Sequence, residues 1–355
     1  MSDPVNRTSI LDQVVELLRQ GLAAGRWKDE LPSEAELCRA FRVSRATVRK
    51  AIEQLVRERR LKPGGRGRHH QILRGSPTHT PRSGHLVRIL TPYAPDSFTS
   101  AHLVMFEGIR AAANAAGYGV EFEYRPKLFK TRGSTEFSRL DLLPDTAGWI
   151  LMYSTLHIQR WIATRGFPGV VFGTLYPGFK LPCLQLDMEA SARHAAGLFH
   201  ARGYRTMVFL LPEFTSLGDR LSGAAFVEEA RRLGSHAIIA TYKAEMTDLR
   251  RTLDHLLLSR PRPNAFFSNC AEHSMTLLCH LQQSGLVVPE DAAIACGWDD
   301  PFLAHAIPSI ARYRINHSRV GSRIGNMLLD AIRNGAGKCP HLKLLPDFIP
   351  GGTFR

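Results

Sequence analysis

The chain of 355 residues carries 46 Lys and Arg against 32 Asp and Glu, a formal net charge of +14. Hydrophobic residues make up 44% of it, enough to bury a large core, which argues against a mainly disordered chain. At roughly 150 residues per domain the length predicts two or three domains. No apolar run approaches the roughly 18 residues of a membrane helix, and the opening MSDPVNRTSI lacks an apolar signal core. The expected location is therefore the cytoplasm, with no membrane partner. Six cysteines (Cys38, Cys183, Cys270, Cys279, Cys296, Cys339) show no C-x-x-C spacing. They read as reduced, small hydrophobic residues, and neither a metal nor another cofactor is expected.

The charge is clustered. Residues 39–74 hold 12 basic and 2 acidic residues, whereas the part after residue 84 holds 29 basic against 23 acidic. A run of basic residues threaded through apolar periodicity points to a nucleic-acid surface rather than a tail.

In chain order, a helix is predicted over about 9–24, with Ile10, Val14, Leu17, Leu18 and Leu22 as its apolar stripe. Ser33 and Glu36 form an S-x-x-E capping box before Leu37, Cys38 and Phe41. Ser44 then caps a longer helix from Arg45 to about Arg60, with Val48, Ala51, Ile52, Leu55 and Val56 inward. Two short helices joined by a tight turn make a helix-turn-helix, whose second helix presents its first turns to the major groove. Arg45, Thr47, Arg49 and Lys50 lie there. Arginine donates two bonds to guanine, Ser44 with its neighbouring backbone N–H groups suits a phosphate, and Ser33 is a further DNA-contact candidate. Leu61 and Ile72 read as the arms of a hairpin, with Arg66, Gly67 and Arg68 at its tip as a basic wing.

Residues 74–84 are rich in Pro, Gly, Ser and Thr and read as a linker between a head (1–73) and a large domain (85–355). Beyond it, strand-like runs at 86–91, 119–124, 148–152, 169–173, 206–211, 237–240, 264–268 and 293–297 alternate with helical patterns. The helices fall at about 101–116, 156–165, 189–203, 220–233, 247–259, 272–285 and 318–334. Such alternation predicts an α/β fold with parallel sheets.

The run LPSEAELCRAFRVSRATVRKAIEQLVRERRLKPGGRG resembles the GntR-type winged helix-turn-helix. The resemblance covers about residues 9–73 and implies DNA contacts at Arg45, Thr47 and Arg49 and near Gly67. Ala35 stands where that family often has Arg, and the wing reads Gly65-Arg66-Gly67-Arg68-His69 in place of its usual G-x-G-T-F. These departures shift the expected wing contacts onto Arg66 and Arg68.

The large domain resembles the LacI/GalR sensor, a two-lobed periplasmic-binding-protein-like (type I) fold. The likeness is carried by FEGIRAAANAAGYGVEF, LQLDMEASARHAAGLFHARGYRTMVFLL, NAFFSNCAEHSMTLL and the run Glu290 to Asp300. It implies a first lobe of about 85–187 and 311–336 and a second of about 188–310 and 337–355. FIPGGTFR would be the terminal strand. A ligand would lie between the lobes, at the carboxyl ends of the strands. Asp299 would accept from two hydroxyls, Arg220 and Asn269 would donate, and Phe98 or Trp298 would stack on a ring. The same residues have structural readings: a surface arginine, a helix cap at Asn269, a core Trp298. Cys270 replaces the Asp that usually follows the Asn, which removes an acid.

Together these features predict a homodimeric, ligand-responsive transcription regulator, a repressor that reads a pseudo-palindromic double-stranded DNA operator. The expected effector is a small sugar-like molecule and the expected genes carbohydrate-related. A nucleoside effector, or none, is the alternative. No H-E-x-x-H, G-x-S-x-G or P-loop supports an enzyme, and no catalytic residue is assigned.

Overall fold

Helix formation in the head follows its caps. Ser33 Oγ accepts from the Glu36 N–H, and the Glu36 carboxylate accepts from the Ser33 N–H at 2.9 Å, so both orphan donors at the start of α2 (Glu34–Phe41) are satisfied. The helix stops at Arg42, which turns into the left-handed region (φ 54°). Ser44 Oγ accepts from the Thr47 N–H and opens α3 (Arg45–Arg57). Val48, Ala51, Ile52 and Leu55 bury one face of α3 against Val14, Val15 and Leu18 of α1 (Ile10–Ala23). Leu17, expected in that stripe, is exposed, and Val15 takes its place. β1 (Leu61–Lys62) and β2 (Gln71–Ile72) pair antiparallel, with Leu61 opposite Ile72 as the pattern predicts.

The computed structural model describes residues 10–23, 26–27, 30–57, 61–62, 70–72, 84–130, 134–213, 215–243, 245–335 and 340–354. The chain divides into two units, Met1–Thr80 and Pro81–Arg355. The expected linker, apart from Gly84, lies outside the described residues, as does the wing tip.

The second unit is α/β with two parallel-dominated sheets. The first has the order β13-β7-β6-β5-β3-β4. Its strands are β3 (Leu86–Thr91), β4 (Gly119–Tyr124), β5 (Thr146–Met152), β6 (Gly169–Phe172), β7 (Cys183–Leu186) and β13 (His341–Leu344). The second has the order β14-β12-β11-β10-β8-β9. It is built from β8 (Thr206–Pro212), β9 (His236–Tyr242), β10 (Ala265–Ser268), β11 (Ala293–Cys296), β12 (Ala311–Arg314) and β14 (Asp347–Ile349). Among the described strands of these two sheets, only β14 runs antiparallel to its neighbour. Helices cover both faces, so β5, β6, β10 and β11 are buried along their whole length and read as unbroken apolar runs.

Residues 311–314 and 341–344 form strands that lie in the opposite sheet from the lobe the resemblance implies for them. Ala311–Arg314 belongs to the second sheet, paired with β11, because Ala311 and Tyr313 complete that lobe's core. The helix expected at about 318–334 is α12 (His317–Asn334), capped by the Asn316 side chain. His341–Leu344 pairs with β7 in the first sheet, and the terminal strand is Asp347–Ile349 rather than the whole of FIPGGTFR. The lobes therefore exchange strands, and the chain crosses between them after β7, after β12 and after β13.

α12 lies across α4 (Ser100–Ala115) in the first lobe. Glycines set how close they come. A Cβ on Gly321 would collide with the Met105 carbonyl oxygen, and one on Gly108 with the Ser318 carbonyl oxygen. Backbone cannot give way as a side-chain tip can, so Gly321→Ala is expected to destabilise the second unit by roughly 1–3 kcal/mol. Chemical denaturation would show it as a lower midpoint; an unchanged midpoint would mean the crossing tolerates a methyl group.

Candidate functional site

In the head, Arg45 and Lys50 are exposed on the first turns of α3, and Thr47 shares a hydrogen bond with Ser44 at 2.9 Å. Arg49 is engaged differently from expectation. Its guanidinium straddles Glu34, with Nε to Oε1 at 3.3 Å and Nη2 to Oε2 at 3.1 Å. This pair draws the N-terminus of α2, including Ser33, against α3. Glu34 was not singled out from sequence, because only the fold brings it to a residue fifteen positions away. Arg66, Gly67 and Arg68 lie outside the described residues.

In the second unit a cavity of about 460 Å³ opens between the lobes. It sits at the carboxyl ends of β3, β5, β6, β8, β10 and β11, where parallel strands leave their loops free to diverge. Aromatic groups form much of its wall: Tyr93, Phe98, His102 and Tyr153 from the first lobe, Trp298 from the second. Trp298 stacks on His102 across the lobes (centroids 5.4 Å, planes 24° apart). His102 Nε2 and the Tyr153 hydroxyl share a hydrogen bond at 2.9 Å, and Tyr93 meets Tyr153 edge to face. Tyr153 holds a left-handed backbone (φ 54°) at the end of β5, a strained conformation of the kind found where a side chain must be aimed.

Three of the five expected ligand residues line this cavity: Phe98, Asn269 and Trp298. Asn269 is not a cap, since Cys270 holds that place before α11 (Ala271–Gln283). It donates instead to Asp219 Oδ1 at 3.0 Å, and Gly297 leaves room for its Oδ1, which a Cβ there would strike. Asp299 is not among the lining residues. It is 8% exposed and accepts from Arg312 Nε at 2.6 Å, a cation that offsets the cost of burying its charge. Arg220 is exposed outside the cavity and donates to the Thr215 carbonyl and towards the Tyr176 hydroxyl.

The residues that sequence reasoning missed stand next to those it chose. Asp219, in the first turn of α9 (Leu217–Arg232), faces the cavity where Arg220 does not. Successive helical residues point about 100° apart, so one position decides the face. Glu272 also lines the cavity, two positions beyond Cys270, so the acid expected to be lost there returns one step into α11.

Burial governs the local chemistry. It pushes His102 down to about 4, from 6.5, and lowers His273 as well. It raises the hydroxyls of Tyr93 and Tyr153, helped by the negative charge of Asp219 and Glu272. Burial and then Glu272 hold the Cys270 thiol protonated. Among the described residues no cluster suited to a metal occurs, the cysteines Cys38, Cys183, Cys270, Cys279 and Cys296 are free, and no helix is long and apolar enough to cross a membrane.

Residues 10–65 match the model of bacterial regulatory proteins of the gntR family, and residues 196–354 match the periplasmic binding protein-like domain. No curated protein matches the chain in sequence. Among solved structures, an uncharacterized protein from Actinobacillus succinogenes is similar at TM-score 0.68 and 16% identity, over 77% of this chain and 100% of that one. A LacI family transcriptional regulator from Silicibacter pomeroyi gives 0.65 and 18%, over 76% and 99%. The transcriptional regulator CelR in complex with cellobiose gives 0.67 and 16%, over 98% and 100%. At these identities the likeness is one of fold. The chain is thus a transcription regulator of composite architecture. A gntR-type helix-turn-helix head precedes a sensor domain of the periplasmic-binding-protein-like, LacI-type fold.

The buried histidine sets a pH dependence. The unfolded chain binds a proton near pH 6.5, whereas folded His102 resists protonation down to about 4. Its contribution is complete above pH 6.5 and is lost as pH falls towards 4. The melting temperature should fall through that window, and His102→Gln should flatten part of the fall, the rest coming from His273 and its like. An equally steep acid limb in the variant would remove His102 from this role.

Proposed function

We propose that the protein is a ligand-responsive, sequence-specific repressor of carbohydrate-related genes that works as a homodimer in the cytoplasm. The observation that carries this reading is the cleft: an aromatic-walled cavity with hydrogen-bonding groups from both lobes, in a chain that begins with a DNA-reading head. A small sugar-like effector would bridge the lobes. Its differential affinity for two degrees of lobe closure would shift the spacing of two heads on a pseudo-palindromic operator. The cellobiose held by the structurally similar CelR supports the ligand class.

We read the cleft as a binding site and not as a catalytic one. His102 is tied to Tyr153 and Thr99, Asp219 is saturated with hydrogen bonds, and the Cys270 thiol stays protonated. In the head, Arg45 and Lys50 are the exposed groups offered to DNA, and Ser44 and Thr47 the phosphate-facing start of α3. Arg49 is placed by Glu34, and Arg66, Gly67 and Arg68 are assigned to the wing. A homodimer is supported by the two sheet-edge strands, which expose apolar residues: Phe122 and Tyr124 on β4, Ile238 and Ile239 on β9. Open apolar edges invite a covering partner.

The direct test measures operator binding by the full chain with and without sugars that raise its thermal stability. A stabilising sugar should change operator affinity; one that binds yet leaves that affinity unchanged sinks the proposal. Arg45→Ala should weaken the operator by roughly tenfold to a hundredfold and flatten base preference, because one bidentate base contact contributes about 1–3 kcal/mol. Retained selectivity would mean that another residue reads the base. Phe122→Glu combined with Ile238→Glu should shift sedimentation towards the monomer, and an unshifted dimer would place the interface elsewhere.

A further inference from the structure

The charge in the cleft is unbalanced. Asp219 and Glu272 both line it, and neither forms an ion pair among the described residues. Asp219 accepts only from neutral donors: the Thr215 hydroxyl, the Ser216 hydroxyl and N–H, and Asn269 Nδ2. Glu272 accepts from the Cys270 thiol at 3.1 Å and is otherwise exposed. Among the described residues no Lys or Arg lines the cavity. Arg220, one residue from Asp219, is exposed and engaged by Thr215 and Tyr176. Asn269 Oδ1 adds a buried acceptor without a partner among the described residues.

Inside a cavity walled by aromatic rings, such a field is screened less than at an open surface. A phosphate or carboxylate entering it would lose its hydration and find no cation in exchange. Hydroxyl or ammonium groups would donate to the carboxylates and gain charge-assisted hydrogen bonds.

We propose that the effector carries no phosphate or carboxylate and is a neutral or amine-bearing molecule rich in hydrogen-bond donors, with Glu272 as the residue that enforces this choice. Asp219, its oxygens already occupied, supplies field and not a free contact. Glu272, exposed in the cleft, supplies the contact. The inference rests on the cleft being the effector site.

The experiment measures the thermal stability of the full chain with matched ligands at millimolar concentration. The sets are glucose, glucosamine, glucuronate and glucose phosphate, and adenosine with adenosine monophosphate. Binding to the folded state raises the melting temperature. The expected result is stabilisation by a neutral or amine member, with its anionic counterpart at least roughly tenfold weaker. Glu272→Gln should weaken the favoured member by a similar factor, and Glu272→Lys should admit the anionic one. Both substitutions fall on an exposed side chain, and a ligand-free melting temperature and circular dichroism spectrum like those of the parent chain control for folding. An anionic member that binds as well as its neutral parent overturns the charge inference while leaving the cleft as the effector site. No shift with any member of either set overturns the cleft reading and this inference with it.

Discussion

The second unit is organised around one carboxylate. Asp300 follows β11 in the second lobe and is 1% exposed, yet its partners are in the first. Its oxygens accept from the Ser100 hydroxyl at 2.8 Å and the Ala101 N–H at 3.1 Å, at the start of α4. A helix N-terminus presents unpaired N–H groups and a positive dipole end, so a buried acid is accommodated there without a formal cation. Burial pushes the Asp300 carboxyl up, but donors from Thr99, Ser100 and the Ala101 and Phe302 backbone outweigh it and hold the group below its usual range. Beside this contact Trp298 packs against His102 and His317. Trp298, two residues before Asp300, lines the cleft, so this contact borders it.

The cleft gains its character from the division of labour around that joint. Trp298, Asp299 and Asp300 are consecutive, yet one lines the cavity, one is held by Arg312 and one caps α4. The same separation places Asp219 in the cavity and Arg220 outside it. Structural carboxylates have found donors or cations, while Glu272 has only a thiol. Net charge at the site is therefore the residue of structural pairing and cannot be read from composition.

Much of the fold was legible because the relevant signals are local. Ser33 with Glu36 announces a helix start, and unbroken runs such as 148–152 announce strands buried on both faces. Short strands were lost where the signal is weak. Cys183–Leu186 and His341–Leu344 are four residues each, and Ala311–Arg314 runs directly into a helical pattern. Their identity as strands depends on partners far along the chain. The site was legible in part: Phe98, Asn269 and Trp298 fall in the cavity, whereas Tyr93, His102, Tyr153, Asp219 and Glu272 sit on loops and first turns whose direction no periodicity specifies.

The sequence by itself determined the order of parts: a basic, doubly capped head, then alternating strands and helices, with the excess positive charge densest in the head. Those follow from neighbours within a few positions, where capping, periodicity and charge act. The tertiary structure decided which lobe takes the returning strands, how closely α12 approaches α4, and which of the adjacent Asp219 and Arg220 faces the cleft. These outcomes depend on backbone contacts and ion pairs between residues tens to hundreds of positions apart, and only the packed chain brings those groups together.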